Sequence, residues 1–199
     1  MNTYSQVSSD SRKNRSTADA IHLVRRITEY GESTNNGLHL VLLDWEKAFD
    51  KIDQSRMFRA LERLNVPEQV IKVIKTLYAE PTFVVKIKEE QSEPRRQNSG
   101  IRQGCPLSPY LFTLVMNVLF KDVKAQTNSK KMNEPIEGIK FNEVLYADDT
   151  LLIGTHTQNL NKLLQTIQNE SKYYNLALNQ DKCVNITINR VCIMNIFST

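Results

Sequence analysis

Residues 144–154 read VLYADDTLLIG, with Asp148 and Asp149 adjacent between two apolar runs. Successive side chains of a strand point to opposite faces, so neighbouring acids share a direction only where the chain turns. Val144 to Ala147 leads in and Thr150 to Gly154 leads out, apolar but for Thr150. The pattern predicts a tight antiparallel hairpin with both acids at its tip. Two carboxylates held that close repel, and one is pushed toward protonation unless a cation lies between them. Hard divalent ions such as magnesium take oxygen ligands of this kind. A pair of aspartates at a turn is often no more than a solvated turn, so the rest of the chain has to decide.

A third acid is at hand. The run LHLVLLD (Leu38 to Asp44) reads as a buried strand that ends on a carboxylate. Antiparallel pairing of this strand with the hairpin would bring Asp44, Asp148 and Asp149 to one end of a sheet. Such a cluster can hold two metal ions roughly 3.5–4 Å apart, clamping the attacking and leaving oxygens of a phosphoryl transfer.

Around these strands the periodicity is mixed. From Ser16 or Thr17, either of which can cap, Ala20, Leu23, Val24 and Ile27 recur at helical spacing, and STNNG (Ser33 to Gly37) ends the helix. Helices are predicted over Gln54 to Leu64 and Pro67 to Tyr78, with Pro67 at a first helical position. The run TFVVKIK (Thr82 to Lys88) predicts a strand, joined to EPRRQNS as a hairpin through Glu89 to Ser92. An apolar helix runs from about Ser108 to Val123, and QTNSKKMNEP reads as a solvated loop. Asn159 to Tyr174 is helical, with Leu160, Leu163, Leu164 and Ile167 on one face, and VNITI (Val184 to Ile188) is a short strand. The opening dozen residues form a loose lead-in. Helices and strands without βαβα alternation predict an α+β fold with an antiparallel sheet.

Composition sets outer bounds. The chain has 199 residues, a formal net charge of +4, 40% hydrophobic and 24% charged residues, ordinary for a globular protein able to bury a core. The mildly basic balance is compatible with nucleic-acid binding without requiring it. No apolar run approaches a membrane span, and the polar N-terminus lacks the apolar region of a signal peptide. The three cysteines, Cys105, Cys183 and Cys192, are odd in number and form no CxxC, which fits a reducing compartment. Two glycosylation sequons, at Asn14 and Asn185, are read as chance matches.

Three motifs in order change the weight of the pieces: LVLLDWEKAFDKID (Leu40 to Asp53), SGIRQGCPLSPYLFTLVMN (Ser99 to Asn117) and LYADDTLLIG (Leu145 to Gly154). Together they resemble motifs A, B and C of reverse transcriptases, and RQGCPLSP is similar to the non-LTR (LINE-type) retrotransposon branch. RKNRSTADAI (Arg12 to Ile21) and LNQDKC (Leu178 to Cys183) extend the resemblance over nearly the whole chain. It implies a polymerase palm, residues 37–53 and 100–189, with partial fingers at 1–36 and 54–99 and a tail at 190–199.

By the same resemblance Asp44, Asp148 and Asp149 form the catalytic, metal-binding triad, with Asp44 and Asp148 bridging two Mg2+ ions (or Mn2+) and Asp149 contributing less. The backbone carbonyl of Trp45 is an extra ligand, its indole simply packed. Phe49 lies under the incoming sugar and excludes a 2′-hydroxyl. Gln103 and Gly104 contact the nucleotide, where glycine permits close backbone approach. Arg102 touches template phosphate, Tyr146 supports the primer end, and Lys182 protonates the departing pyrophosphate. Asp50 is a structural helix-start acid and Cys105 a small buried residue with no histidine to activate it. His22, His39 and His156 are structural.

The implied partners are an RNA template, a DNA primer and a deoxynucleotide, with no membrane. The implied location is intracellular, in the nucleus or a cytoplasmic ribonucleoprotein. Only eleven residues precede Arg12, with Asp10-Ser11 where the family has Gly-Phe, and no thumb or endonuclease can be fitted after Lys182. The expectation is a truncated fragment. The competing reading is an inactive retroelement remnant that at most binds nucleic acid weakly. An RNA-templated RNA polymerase fits less well, because those enzymes commonly carry a GDD hairpin and need no bulky gate such as Phe49.

Overall fold

The computed structural model describes residues 7–8, 17–33, 37–80, 82–97, 99–102, 104–127, 142–146 and 148–189. In chain order these form β1 (Val7–Ser8), α1 (Thr17–Ser33), β2 (Leu38–Leu43), α2 (Ala48–Lys51), α3 (Gln54–Arg63), α4 (Glu68–Leu77), β3 (Thr82–Phe83), β4 (Lys86–Ile87), β5 (Glu90–Gln91), β6 (Arg95–Arg96), α5 (Ser108–Thr127), β7 (Glu143–Tyr146), β8 (Asp149–Gly154), α6 (Thr157–Tyr173) and β9 (Val184–Ile188). The α+β class read from the sequence is the one observed. The contacts divide the chain into two compact units: Met1–Trp45, Ala125–Thr166 and Leu178–Thr199 form the first, and Glu46–Lys124 with Ile167–Ala177 the second.

The first unit is built on a five-stranded sheet in the order β1-β7-β8-β2-β9. All pairings are antiparallel except β1 with β7, which run parallel. The strand β1 corrects the expectation of a loose lead-in. Two polar-flanked residues carry no periodic signal, and only the exposed edge of β7 gives them a partner. Burial fixes the register elsewhere: a one-residue slip would turn every apolar side chain of β8 to the wrong face. Ile27 of α1 joins Leu38, Leu40, Val144, Leu151 and Ile153 in a buried cluster, with Leu23, Val24, Tyr30 and Ile188 packed around it. The predicted apolar face of α1 is therefore the one that covers the sheet. On the opposite face a Cβ at Gly154 would lie 2.8 Å from Leu160 of α6, so the strand and that helix meet where only glycine fits.

In the second unit the side chain of Asp53 caps α3 by accepting from the Arg56 amide at 3.0 Å. Pro67 stands one position earlier than expected, as the N-cap of α4 with ψ 136°. The helix α5 continues to Thr127, four residues past the expected Val123, and buries Leu111, Phe112, Val115, Met116, Val118, Leu119, Phe120 and Val123. The single hairpin expected over Thr82 to Ser99 is corrected. Thr82–Phe83 pairs with Arg95–Arg96, but Lys86–Ile87 pairs with Glu90–Gln91 around Lys88-Glu89, and Lys88 takes a positive φ of 56°. Between the two pairs the Ser92 side chain accepts from the Val85 amide and the Ser92 amide donates to the Val85 carbonyl. Phe83, Val85 and Ile87 are exposed here, so no buried face dictates one continuous ladder.

Candidate active site

The hairpin closes as the sequence reading required. Tyr146 pairs with Asp149 across the β7–β8 ladder, and Asp148 stands in the turn between them. Ala147 and the side chain of Tyr146 lie outside the described residues. The antiparallel ladder of β2 with β8 runs from His39 opposite Gly154 to Leu43 opposite Thr150. One step further brings Asp44 toward Asp149, so the three acids share one end of the sheet. Burial, then the charges of Asp148 and Asp44, push the Asp149 carboxyl above the ordinary carboxylate range. Asp149 thus feels the charge of both other acids. Among the described residues no three His, Cys, Asp or Glu side chains are gathered closely enough to enclose a metal ion. Magnesium does not need such a cage. It binds through one or two carboxylates and takes its remaining ligands from water and substrate phosphates. An all-oxygen donor set with mutual repulsion for a cation to relieve fits that chemistry.

Trp45 departs from the expectation that its indole simply packs. Its Nε1–H donates to the Thr150 hydroxyl at 3.1 Å, with both residues buried. An indole can only donate, and a buried N–H without an acceptor is costly, so the pairing with Thr150 has a physical cause. Thr150 is the one hydroxyl in the run TLLIG, and that isolated polar residue is the signal the sequence reading passed over. Trp45 also forms an antiparallel bridge with Leu178. The bonds of that bridge run from the Asn179 amide to the Asp44 carbonyl and from the Glu46 amide to the Ala177 carbonyl, both 2.9 Å. The Trp45 carbonyl takes no part in either. The LNQDKC segment is thereby anchored to the backbone of Asp44, and its Lys182 is exposed, its amide bonded to the Asn179 carbonyl at 3.1 Å. An open groove of about 730 Å³ lies on the α1 face of the sheet, with Asp149 on its rim and Ile21, Val24, Leu40, Leu42 and Ile186 among its walls.

Phe49, Arg102 and Gly104 belong to the second unit, and Gln103 lies outside the described residues. Phe49 is half-buried and stacks on Phe112 with ring centroids 4.7 Å apart. The Arg102 guanidinium lies 5.9 Å from the centre of the Tyr78 ring, and its carbonyl accepts from the Ser108 hydroxyl. Gly104 is exposed with φ +82°, and nothing stands within 4 Å of where a Cβ would be. Its glycine serves the backbone angle. A close approach within the protein itself is made at Gly100, which the sequence reading did not single out. With φ +81°, it would place a Cβ 2.6 Å from the Asp50 carbonyl oxygen. Its amide donates to the Ile52 carbonyl at 2.7 Å and the Ile101 amide to the Phe49 carbonyl at 2.6 Å. Motif B is thus pinned to the turn that carries Phe49. Cys105 is half-buried rather than buried. Of the histidines, His39 lies 3.1 Å from the Thr187 hydroxyl across the β2–β9 pair.

The pattern that defines the family described as reverse transcriptase (RNA-dependent DNA polymerase) matches residues 1–192. The chain belongs to the reverse transcriptase family. Over 151 residues it is 30% identical to a retrovirus-related Pol polyprotein from a type-1 retrotransposable element R2 of Popillia japonica, covering 75% of this chain and 21% of that protein. Over 140 residues it is 29% identical to an uncharacterized 149 kDa protein of transposon TX1 from Xenopus laevis, covering 70% and 11%. The chain therefore spans about a tenth to a fifth of the length of these curated relatives. These relatives bear out the non-LTR retrotransposon resemblance. Among solved structures a Candida albicans telomerase in complex with a fragment of telomeric RNA superposes with a TM-score of 0.67 at 16% identity, over 90% of this chain and 31% of that one. The likeness shows the fold, a reverse transcriptase palm with fingers elements. Among the described residues no helix is long and apolar enough to cross a membrane.

Proposed function

We propose that this chain is the palm and part of the fingers of an RNA-directed DNA polymerase that extends a DNA primer along an RNA template. The observation that carries the reading is the register of the β2–β8 and β7–β8 ladders, which run toward Asp44, Asp148 and Asp149 at one sheet end. These carboxylates, with the Trp45 carbonyl, would hold two Mg2+ ions, or Mn2+ in their place. The ions would supply charge neutralisation at the attacking and leaving oxygens. The primer 3′-hydroxyl loses its proton to solvent as its oxygen bonds to the α-phosphorus of a deoxynucleotide, while the bond from that phosphorus to the bridging β-phosphate oxygen breaks and pyrophosphate leaves. Lys182 gives a proton to that leaving group. Phe49, Gln103 and Gly104 form the nucleotide contacts, with Phe49 closing out the 2′-hydroxyl, and Arg102 and Tyr146 hold template and primer. In this functional division 37–53 and 100–189 are palm and 1–36 and 54–99 fingers, inside a cell's nucleus or a cytoplasmic ribonucleoprotein.

A primer-extension assay on poly(rA)/oligo(dT) with Mg2+ tests the proposal, with Asp148→Asn as control. Extension by the wild-type chain and none by the variant is expected. Equal signal from both, or none from either, would overturn it in favour of an inactive remnant. In an active chain, Phe49→Ala is expected to raise ribonucleotide use, and an unchanged sugar preference would remove the gate assignment.

A further inference from the structure

The β2–β8 ladder ends at Leu43 opposite Thr150, one residue short of Asp44. Regular backbone pairing between the two acid-bearing segments therefore stops before the acids meet. The connection that continues past this point is made by side chains. The Trp45 indole N–H donates to the Thr150 hydroxyl at 3.1 Å, with Trp45 5% and Thr150 2% exposed. Each partner directly follows an acid, Trp45 after Asp44 and Thr150 after Asp149. Strand alternation sets Thr150 on the face opposite Asp149, so the bond grips the segments from behind and leaves the carboxylate face open.

We infer that the Trp45–Thr150 hydrogen bond is the positioning element that ties the Asp44 and Asp149 segments together beyond the end of their ladder, where a shared cation would bind. The inference rests on the metal-site reading proposed above. Backbone pairing joins the two segments as far as Leu43 and Thr150, beside the acids but not at them, and two further constraints act within one segment or toward a third. Asp149 is fixed to Tyr146 across the hairpin, and Asp44 is fixed through its carbonyl to the Asn179 amide at 2.9 Å. Neither sets the distance from Asp44 to Asp149, and two carboxylates of like charge drift apart unless something rigid opposes them. An indole held in a buried site is rigid, and its one donor fixes both the direction and the length of the link. Thr150 serves as acceptor without adding charge to the cluster.

The chain has one tryptophan, and it adjoins Asp44. Tb3+ bound by the acids is therefore excited through Trp45, and its sensitised emission reports affinity without any need for polymerase activity. Wild-type protein is expected to give saturable emission that Asp148→Asn abolishes. Thr150→Val, isosteric but without an acceptor, is expected to weaken Tb3+ binding by about 10–100-fold, the usual cost of removing a partner that orients a metal ligand. Thr150→Ser, which keeps the hydroxyl, is expected to restore it. Far-UV circular dichroism accompanies each titration. Trp45→Phe, read by Mn2+ electron paramagnetic resonance because the sensitiser is gone, is expected to show the same loss and keeps the inference testable if Thr150→Val fails to fold. Wild-type affinity in Thr150→Val or in Trp45→Phe, or equal losses in Thr150→Val and Thr150→Ser, overturns the positioning role while leaving the metal site standing. No emission from wild type, or emission unchanged in Asp148→Asn, removes the metal-site reading and the inference with it.

Discussion

The β7–β8 hairpin and the segment from Thr82 to Arg96 are both built of short apolar strands, yet their side chains meet opposite surroundings. Leu152 and Ile153 are 0% exposed, whereas Phe83 is 46% and Ile87 68% exposed. Where both faces are covered, a slip of one residue carries each core side chain to the opposite face and breaks its packing, and a single register survives. Where neither face is covered, a slip costs little, and local turn chemistry decides. That is why β8 pairs along its full length while the Thr82–Arg96 segment breaks into two short ladders. The contrast has a functional side. A hairpin whose register is fixed by burial can carry two carboxylates to a defined place.

The contrast breaks most visibly under truncation. Leu152→Ala is expected to cost about 2–5 kcal/mol, and Ile87→Ala to stay within about 0.5 kcal/mol. Urea denaturation midpoints of the two variants check this, and comparable losses would mean that the exposed segment has a core of its own. The two positive-φ glycines sharpen the point inside one motif. Both Gly100→Ala and Gly104→Ala put a side chain into the left-handed region, at about 1–2 kcal/mol each. Only at Gly100 does the new Cβ also meet a backbone oxygen, 2.6 Å away, where Gly104 has open space. Gly100→Ala should therefore be the less stable of the pair in the same denaturation experiment, and the reverse order would remove the pinning of motif B to the Phe49 turn.

The smallest effect concerns the exposed end of the buried hairpin. The folded chain holds the Asp149 proton to higher pH than the unfolded chain, by burial first and then by Asp148 and Asp44. Its contribution to stability accordingly falls as pH rises above the ordinary carboxylate range. Asp149→Asn removes this penalty. Its melting temperature should match wild type below about pH 3 and exceed it near neutral pH, by at most about 2 °C, because solvent screens this carboxylate. Added Mg2+ should narrow the difference by stabilising wild type. A variant less stable than wild type at neutral pH would contradict the repulsion.

The elements legible in the sequence are those with a buried face. The apolar period of α1, the run of β2 and the alternation around Asp148 and Asp149 each state a demand that only one arrangement meets. The resemblance in motifs A, B and C then named the acids. Less legible were features set by tertiary neighbours. The two-residue β1 exists because β7 has a free edge. The turn at Lys88-Glu89 follows from local geometry without burial. Gly100 and Gly104 look alike as letters, and only the nearness of the Asp50 carbonyl separates them. Trp45 and Thr150 lie 105 residues apart, so no local pattern could join the indole to its acceptor, although a lone hydroxyl in an apolar strand was a usable hint.

Asp44, Asp148 and Asp149 are proposed to act together as one cation site. Anomalous diffraction from crystals soaked in Mn2+ tests it most directly. A manganese peak bounded by these three carboxylates and lost in Asp148→Asn is expected. Ordered carboxylates with no peak between them, or manganese bound only elsewhere on the chain, would contradict it.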